Sequence, residues 1–397
     1  MLSLLQILKF SNHEKIRIYI CLHSTIAVIK RSRSSKCLVR SDKKHACFYD
    51  QIKQQLTYPE AWGKSPVKKF AKWRTEARKT LMECMENIPP TAKAYNMVVV
   101  GSEKRKGYEA RKILFNLSEW SRVPAYLLVP EGKGPFPAIV MLHDHGAPFS
   151  IGKEKMIRPF GVSAEVMADA DDWAQKCYDG QYTGDYFAAH GYVVLSIDAL
   201  YWGERGRKEG VNYEGQQALA SNLLQMGTSW GALITMDDAY SVDFLSTLPE
   251  VDSERIGTLG FSMGAYRAWM LSAVTDRVKA AAAICWMNTT DSLMTLTNNQ
   301  NKGGSAYSMI IPGIRRYLDY PHVASIACPK PTLFFNGTKD KLFPVQGVED
   351  AYKTMRAVWN SQGADEKLVT KIWDEKHFFN RAMQQETLDF FDRWLKK

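Results

Sequence analysis

Short apolar runs recur along the chain at 137–142, 192–197, 255–261, 278–286, 331–335 and 368–373, separated by polar or helix-favouring stretches. Runs this short and mostly apolar read as strands. Their alternation with helical segments predicts a mostly parallel sheet with helices on both sides. Ahead of them, 67–85 places apolar residues at helical spacing and predicts an amphipathic helix, while 96–129, rich in Val, Ile, Leu and Tyr, predicts extended, hairpin-like segments. These should supply an accessory helix and antiparallel edge strands. Residues 48–397 are therefore expected to form a single α/β domain, with 48–95 as an accessory helical segment.

A chain of 397 residues with 45% hydrophobic and 24% charged content can bury a substantial core. Its formal charge of +10 is unevenly placed, since 1–47 carries ten Lys and Arg against Glu14 and Asp42, a net of +8. The nearly neutral remainder, with no nucleic-acid motif, argues against a phosphate-binding face. Within the basic arm, the apolar stretch 16–29 is interrupted by Arg17 and His23, is too short to span a bilayer, and runs into Lys30-Arg31-Ser32-Arg33 rather than a small-residue cleavage site. The arm is expected to be disordered or dispensable, and no membrane span is expected. Seven cysteines in no metal-ligand spacing point to free thiols and a reducing, cytoplasmic compartment. Export is the alternative, with the arm acting as an atypical signal or anchor.

The chemistry concentrates where the run 255–261 enters Gly260-Phe261-Ser262-Met263-Gly264 and then a helix-favouring segment. A serine at such a strand-to-helix turn is held in a strained backbone conformation with its Oγ clear of the sheet, and the flanking glycines avoid collisions with neighbouring strand and helix. Ser262 is the expected nucleophile. A serine hydroxyl needs a base and an orienting carboxylate, and only His322 and His377 follow it in the chain. His377 lies in the loop after the last predicted strand, whereas no strand feeds His322, so His377 is the expected base. Asp340, in the turn-rich loop after 331–335, is the expected acid, with Asp291 the alternative. For an oxyanion, the Met263 N–H supplies one donor, and the loop His143-Asp144-His145-Gly146-Ala147-Pro148 a second, at Ala147 or its neighbour Gly146. A metal pair at His143 and His145 is the competing reading of that loop, and it lacks further ligands at suitable spacing.

With these residues assembled, the chain resembles an α/β-hydrolase of the dienelactone-hydrolase-like group, close to carbohydrate esterases of the acetyl xylan esterase and cephalosporin-C deacetylase type. The resemblance runs from about Trp62 to the C-terminus. It rests on His143-Asp144-His145-Gly146 followed by Gly152-Lys153-Glu154-Lys155, on the run 190–198 leading into Gly203-Glu204-Arg205, on 248–257 before the serine, and on the Asp340 and His377 loops. It implies hydrolysis of a carboxylic ester through an acyl-enzyme on Ser262, without metal or organic cofactor, on a small-molecule or oligosaccharide substrate.

Specificity is expected from two insertions at the C-terminal edge of the sheet. One, 150–185, holds Trp173, Tyr178, Tyr182 and Asp185. The other, 288–322, holds the polar run 298–301 with Tyr307, Tyr317 and Tyr320. His145, Trp202 and Trp286, near predicted strand ends, are expected to contact substrate, and Asp198 with Glu204 and Arg205 to form a buried support behind the site. The alternatives are a serine peptidase of the prolyl-oligopeptidase type, a dienelactone hydrolase and an inactive hydrolase-fold binding protein. The first calls for a large preceding domain that the roughly ninety residues between arm and sheet cannot encode, and the second uses a cysteine nucleophile where this chain has Ser262. Deleting residues 1–47 is expected to leave soluble expression and activity intact; collapse of expression would show that the arm packs on the body.

Overall fold

The computed structural model describes residues 47–207, 210–295 and 307–396, with side chains from residue 51 onwards. Two compact units divide the chain, 1–49 and 50–397. Of the first, only the opening residues of helix α1 (Cys47–Gln54) are described. In the second, α2 (Phe70–Glu83) precedes three strands, β1 (Val98–Arg105), β2 (Tyr108–Ser118) and β3 (Ser121–Pro130). There follow β4 (Phe136–Leu142), α3 (Ala164–Tyr178), α4 (Thr183–Ala189), β5 (Val193–Ile197), α5 (Tyr213–Gln225), α6 (Trp230–Leu245), β6 (Val251–Phe261) and α7 (Met263–Val274). The chain then runs through β7 (Val278–Ile284), α8 (Thr290–Leu293), α9 (Tyr320–Ala324), β8 (Thr332–Gly337), α10 (Val345–Asn360), β9 (Leu368–Trp373) and α11 (Arg381–Leu395).

The nine strands form one sheet in the order β1-β2-β3-β5-β4-β6-β7-β8-β9. The first three and the β3/β5 contact are antiparallel, and every other pairing is parallel. Arg105 faces Tyr108 across a two-residue hairpin whose Gly107 has φ +88°, a value glycine adopts without strain. The sequence of crossovers matters most at β4. From β4 the chain crosses to β5 on one side, while β6 lies on the other and leads away to β7. The loops leaving the carboxyl ends of β4 and β6 therefore diverge, opening a crevice at a topological switch point.

Alternation along the strands divides the core between two faces. On β8, Phe334 belongs to the core shared with helices α2, α5, α6, α7, α9 and α10, while Leu333 and Phe335 belong to the one shared with α3, α4 and α11. Each fully buried side chain of this size contributes roughly 1.5–3 kcal/mol. Strand β7 ends two residues earlier than the apolar pattern predicts, because Cys285 takes φ +61° and leaves the extended conformation. Strand β6 starts four residues earlier than predicted, since Val251 pairs with Phe136.

Helix α6 is buried nearly all round, yet it carries Asp237 and Asp238. Burial of a carboxylate demands a partner, and Arg267 on α7 provides a two-pronged one for Asp238, at 2.7 and 2.9 Å, with both side chains 1% exposed. Asp238→Leu, which strands Arg267, is expected to cost about 3–5 kcal/mol, read as a lower midpoint in urea denaturation; an unchanged midpoint would show that the pair does not hold α6 to α7.

Candidate active site

The geometry begins with three backbones in contact. A Cβ on Gly264 would lie 1.8 Å from the Leu142 carbonyl oxygen at the end of β4, and one on Gly260 would lie 2.1 Å from the Gly264 carbonyl oxygen. Only glycine allows α7 to start this close to β4 and β6. Between them, Ser262 is forced to φ +56°, ψ −122°, a strained conformation for a residue with a side chain. The Ser262 N–H donates to the Ile284 carbonyl at 2.8 Å, which ties the turn to β7.

The expected partners meet at this serine. His377 Nε2 is 2.8 Å from Ser262 Oγ, and its Nδ1 is 2.6 Å from Asp340 Oδ2. The other oxygen of Asp340 accepts the Leu342 N–H at 2.9 Å, so the buried carboxylate is held by both ends. The bond from Nδ1 leaves Nε2 free to accept from the serine hydroxyl, the tautomer a general base requires. The His377 ring lies between Phe261 and Phe343, with centroids at 4.8 and 6.1 Å. Its loop is anchored where the Phe379 N–H donates to the Cys177 carbonyl and Gln384 reaches the Phe379 carbonyl.

The alternatives lie elsewhere. His322 Nδ1 accepts the Asp319 N–H in a capping box at the start of α9, and burial lowers its pKa to about 4. Asp291 is 71% exposed and faces Lys53. Within the described residues, Cys285, Asp340 and His377 place ligand-type atoms within 4.8 Å of one another. That set suits a metal poorly: His377 and Asp340 already bond each other, and burial raises the Cys285 pKa well above the usual thiol value, which favours the protonated form over a thiolate ligand.

The loop after β4 is held from behind by buried groups. His143 donates from Nδ1 to the Asp144 carbonyl and accepts the Ala199 N–H at Nε2, so neither nitrogen remains for a metal. Burial, with Arg267 and Lys155 nearby, keeps this imidazole neutral. Asp144 accepts from Trp173 Nε1 at 3.0 Å and Tyr178 OH at 2.6 Å. Beyond it, Lys153 bonds Asp198 and Glu204 and pairs with Glu154, while Arg205 pairs with Asp237.

This arrangement corrects part of the sequence reading. Trp202 and Trp286 are 0% and 1% exposed. Trp202 stacks on Trp230 and donates to the His145 carbonyl, and Trp286 packs among Tyr266, Tyr320 and Phe343. Their surfaces are committed to the core, so they support the site without lining it. Trp173 and Tyr178 likewise hold Asp144, and Asp185 bonds Arg105 and Tyr108. His145 is 5% exposed, with burial lowering its pKa to about 4, and stacks beneath Tyr213, which is 65% exposed. Ala147 lies at the surface two positions after His145, and Met263 opens α7 with an N–H that has no preceding turn to bond. The polar run 298–301 lies outside the described residues. The sequence reading missed Lys153 and Lys155, which are buried here; their Gly-Lys-Glu-Lys setting resembles a solvated turn. A cavity of about 610 Å³ lined by Glu83, Cys84, Leu224 and Tyr317 includes none of Ser262, Asp340, His377, Met263 and Ala147.

A mostly parallel sheet with a switch-point crevice and a serine elbow defines the α/β-hydrolase fold. The chain belongs to the Abhydrolase family, whose model matches residues 5–371. It is 27% identical to "Putative hydrolase YtaP" of Bacillus subtilis (strain 168) over 81% of this chain and all of that protein. Among solved structures, it superposes on a Bacteroides fragilis NCTC 9343 protein named "putative acetyl xylan esterase" with a TM-score of 0.65 at 18% identity, covering 84% of each chain. It superposes on a glucuronoyl esterase from Solibacter usitatus with a TM-score of 0.57 at 14% identity, covering 81% of this chain and 92% of that one. At these identities the likeness is one of fold.

The buried histidines give a pH dependence of stability. His145 and His322, at about 4, and His143, well below its usual value, stay neutral when folded but take up protons near pH 6.5 when unfolded. Their contribution is complete above about pH 6.5 and is lost as pH falls towards 4. The urea midpoint is expected to drop steadily between pH 7 and pH 4.5; a flat midpoint across that window would contradict the burial of these rings.

Proposed function

We propose that this protein is a serine esterase that deacetylates a carbohydrate ester. The observation that carries the reading is the unbroken hydrogen-bond line from Ser262 through His377 to Asp340, with the serine strained at the switch-point crevice. Ser262 Oγ attacks the ester carbonyl while its proton passes to His377 Nε2. Asp340 holds the ring and stabilises it as it charges. Negative charge gathers on the former carbonyl oxygen, where the Met263 and Ala147 N–H groups receive it. Collapse breaks the bond to the alcohol, which leaves with the proton from His377. Water, deprotonated by the same imidazole, then releases acetate and restores the serine.

The carbohydrate part of the reading draws on the acetyl xylan esterase name of the Bacteroides fragilis protein and on Tyr213, an exposed ring stacked over His145 beside the oxyanion loop. Aromatic faces of this kind suit the apolar face of a sugar. The described residues ahead of β4 build two helices and three strands, with no propeller among them, which speaks against a gated peptidase.

Ser262→Ala is expected to lower hydrolysis of 4-nitrophenyl acetate by a thousandfold or more, and to abolish labelling by a fluorophosphonate. Asp340→Asn should lower kcat with little change in KM. Retained turnover in Ser262→Ala would overturn the mechanism. For the substrate, acetylated xylan, a methyl ester of glucuronate, a peptide amide and a simple lactone would be incubated side by side, with products identified by mass; release of acetate from xylan is expected, and cleavage confined to another member of the panel would overturn the carbohydrate acetate reading.

A further inference from the structure

Four successive carbonyls of the loop after β4 point into the protein, each onto a buried donor. Arg267 reaches the His143 oxygen at 3.3 Å, and the His143 ring takes the Asp144 oxygen at 2.8 Å. Trp202 takes the His145 oxygen at 2.8 Å. Lys155 then spans the last three: its Nζ is 3.4 Å from the Asp144 oxygen, 3.5 Å from that of His145 and 2.6 Å from that of Gly146. The Gly146 bond is much the shortest, and Lys155 is its only side-chain donor among the described residues.

Lys155 is fully buried, 5.0 Å from the Trp173 ring centre and 3.6 Å from Asp144 Oδ1. Taking an ammonium out of water is costly. A single carboxylate oxygen at 3.6 Å, beyond hydrogen-bond length and with the other oxygen taken by Trp173 and Tyr178, is a modest return, and burial lowers the Lys155 pKa despite it. The short bond to Gly146 is where this charge is used. The Gly146–Ala147 peptide is trans, and in a trans peptide the C=O and the following N–H point in opposite directions. Drawing the Gly146 oxygen inward thus turns the Ala147 N–H outward. The position has no slack on the other side, because a Cβ on Gly146 would lie 2.0 Å from the Trp173 ring.

We propose that Lys155 is a positioning residue for ester hydrolysis: its buried ammonium fixes the Gly146–Ala147 peptide and so aims the Ala147 N–H at the oxygen that gains charge in the transition state. This rests on the serine esterase reading of Ser262. A donor aimed beforehand needs no reorganisation as charge develops, so its loss should fall on the chemical step more than on substrate binding.

The test compares wild type with Lys155→Met, which keeps the bulk and removes the donor, and with Lys155→Gln, which keeps an uncharged donor on a shorter stem. Each is assayed for kcat and KM on 4-nitrophenyl acetate, for affinity towards phenylboronic acid as a tetrahedral adduct, and for near-ultraviolet circular dichroism as a check of folding. Lys155→Met is expected to lose about a hundredfold in kcat, with KM within about twofold and boronate affinity falling in parallel with kcat. Lys155→Gln is expected to recover part of both. A folded Lys155→Met with wild-type kcat, or one whose loss appears in KM while boronate binding is unchanged, overturns the proposal. Should Lys155→Met fail to fold, Lys155→Gln carries the comparison: parallel losses in kcat and boronate affinity support the role, and wild-type values for both overturn it. Wild-type protein that neither hydrolyses the acetate nor takes up a fluorophosphonate at Ser262 would overturn the esterase reading itself and the role of Lys155 with it.

Discussion

Everything at the candidate site depends on how closely three backbones approach one another. Gly264 lies against the Leu142 carbonyl and Gly260 against the Gly264 carbonyl, at distances that leave no room for a side chain. That contact forces Ser262 into its strained turn and brings the end of β6 beside the loop that follows β4. Strain of this kind costs about 1–3 kcal/mol and persists only where the surroundings over-determine it. Here the Ile284 carbonyl holds the serine N–H, while Ala265 and Tyr266 donate to the serine carbonyl as α7 begins. The hydroxyl is held up by the packing of strand against helix.

The polar groups around the elbow fall into two tiers. At the crevice, His377 stands in line between Ser262 and the buried carboxylate of Asp340. Beneath it, Arg267 with Asp238, Lys153 with Asp198, and Lys155 with Asp144 are buried and multiply bonded, while Glu204, expected to be buried with them, reaches Lys153 from the surface. Burial of so much charge adds little net stability compared with apolar side chains of the same volume. What it provides is direction, since each pair ends on a loop backbone that an apolar core could not orient. His143 does the same with a neutral ring whose two nitrogens are both engaged.

Much of this was legible in the amino-acid sequence, for reasons that also mark where legibility ends. Strands buried on both faces leave apolar runs, and Ser262 and Asp340 each follow one; His377 follows the half-buried edge strand β9, and order along the chain was enough to bring the three together. The early end of β7 was hidden because Cys285 and Trp286 continue the apolar pattern while the backbone turns at Cys285. Trp202 and Trp286 misled for a related reason. A residue at a strand end can face either crevice or core, and that choice is made by neighbours such as Trp230 and Tyr320, distant in sequence. Lys153 and Lys155 were illegible as buried groups because a lysine is ordinarily exposed. Asp198 and Glu204 for Lys153, and Asp144 with the Gly146 carbonyl for Lys155, are brought over by other segments and account for their position.

The two halves of the sheet differ in how far apart in the chain their partners lie. Strands β1 to β3 pair as consecutive hairpins, whereas β4 must wait for β6, and Arg267 for the His143 carbonyl, 124 positions away. Closing loops of that length is the slow part of assembling a sheet, because chain entropy is lost before contacts compensate for it. The hairpin half can therefore acquire its secondary structure while the serine turn is still unformed. A refolding chain is therefore expected to regain backbone structure before the crevice closes around Ser262.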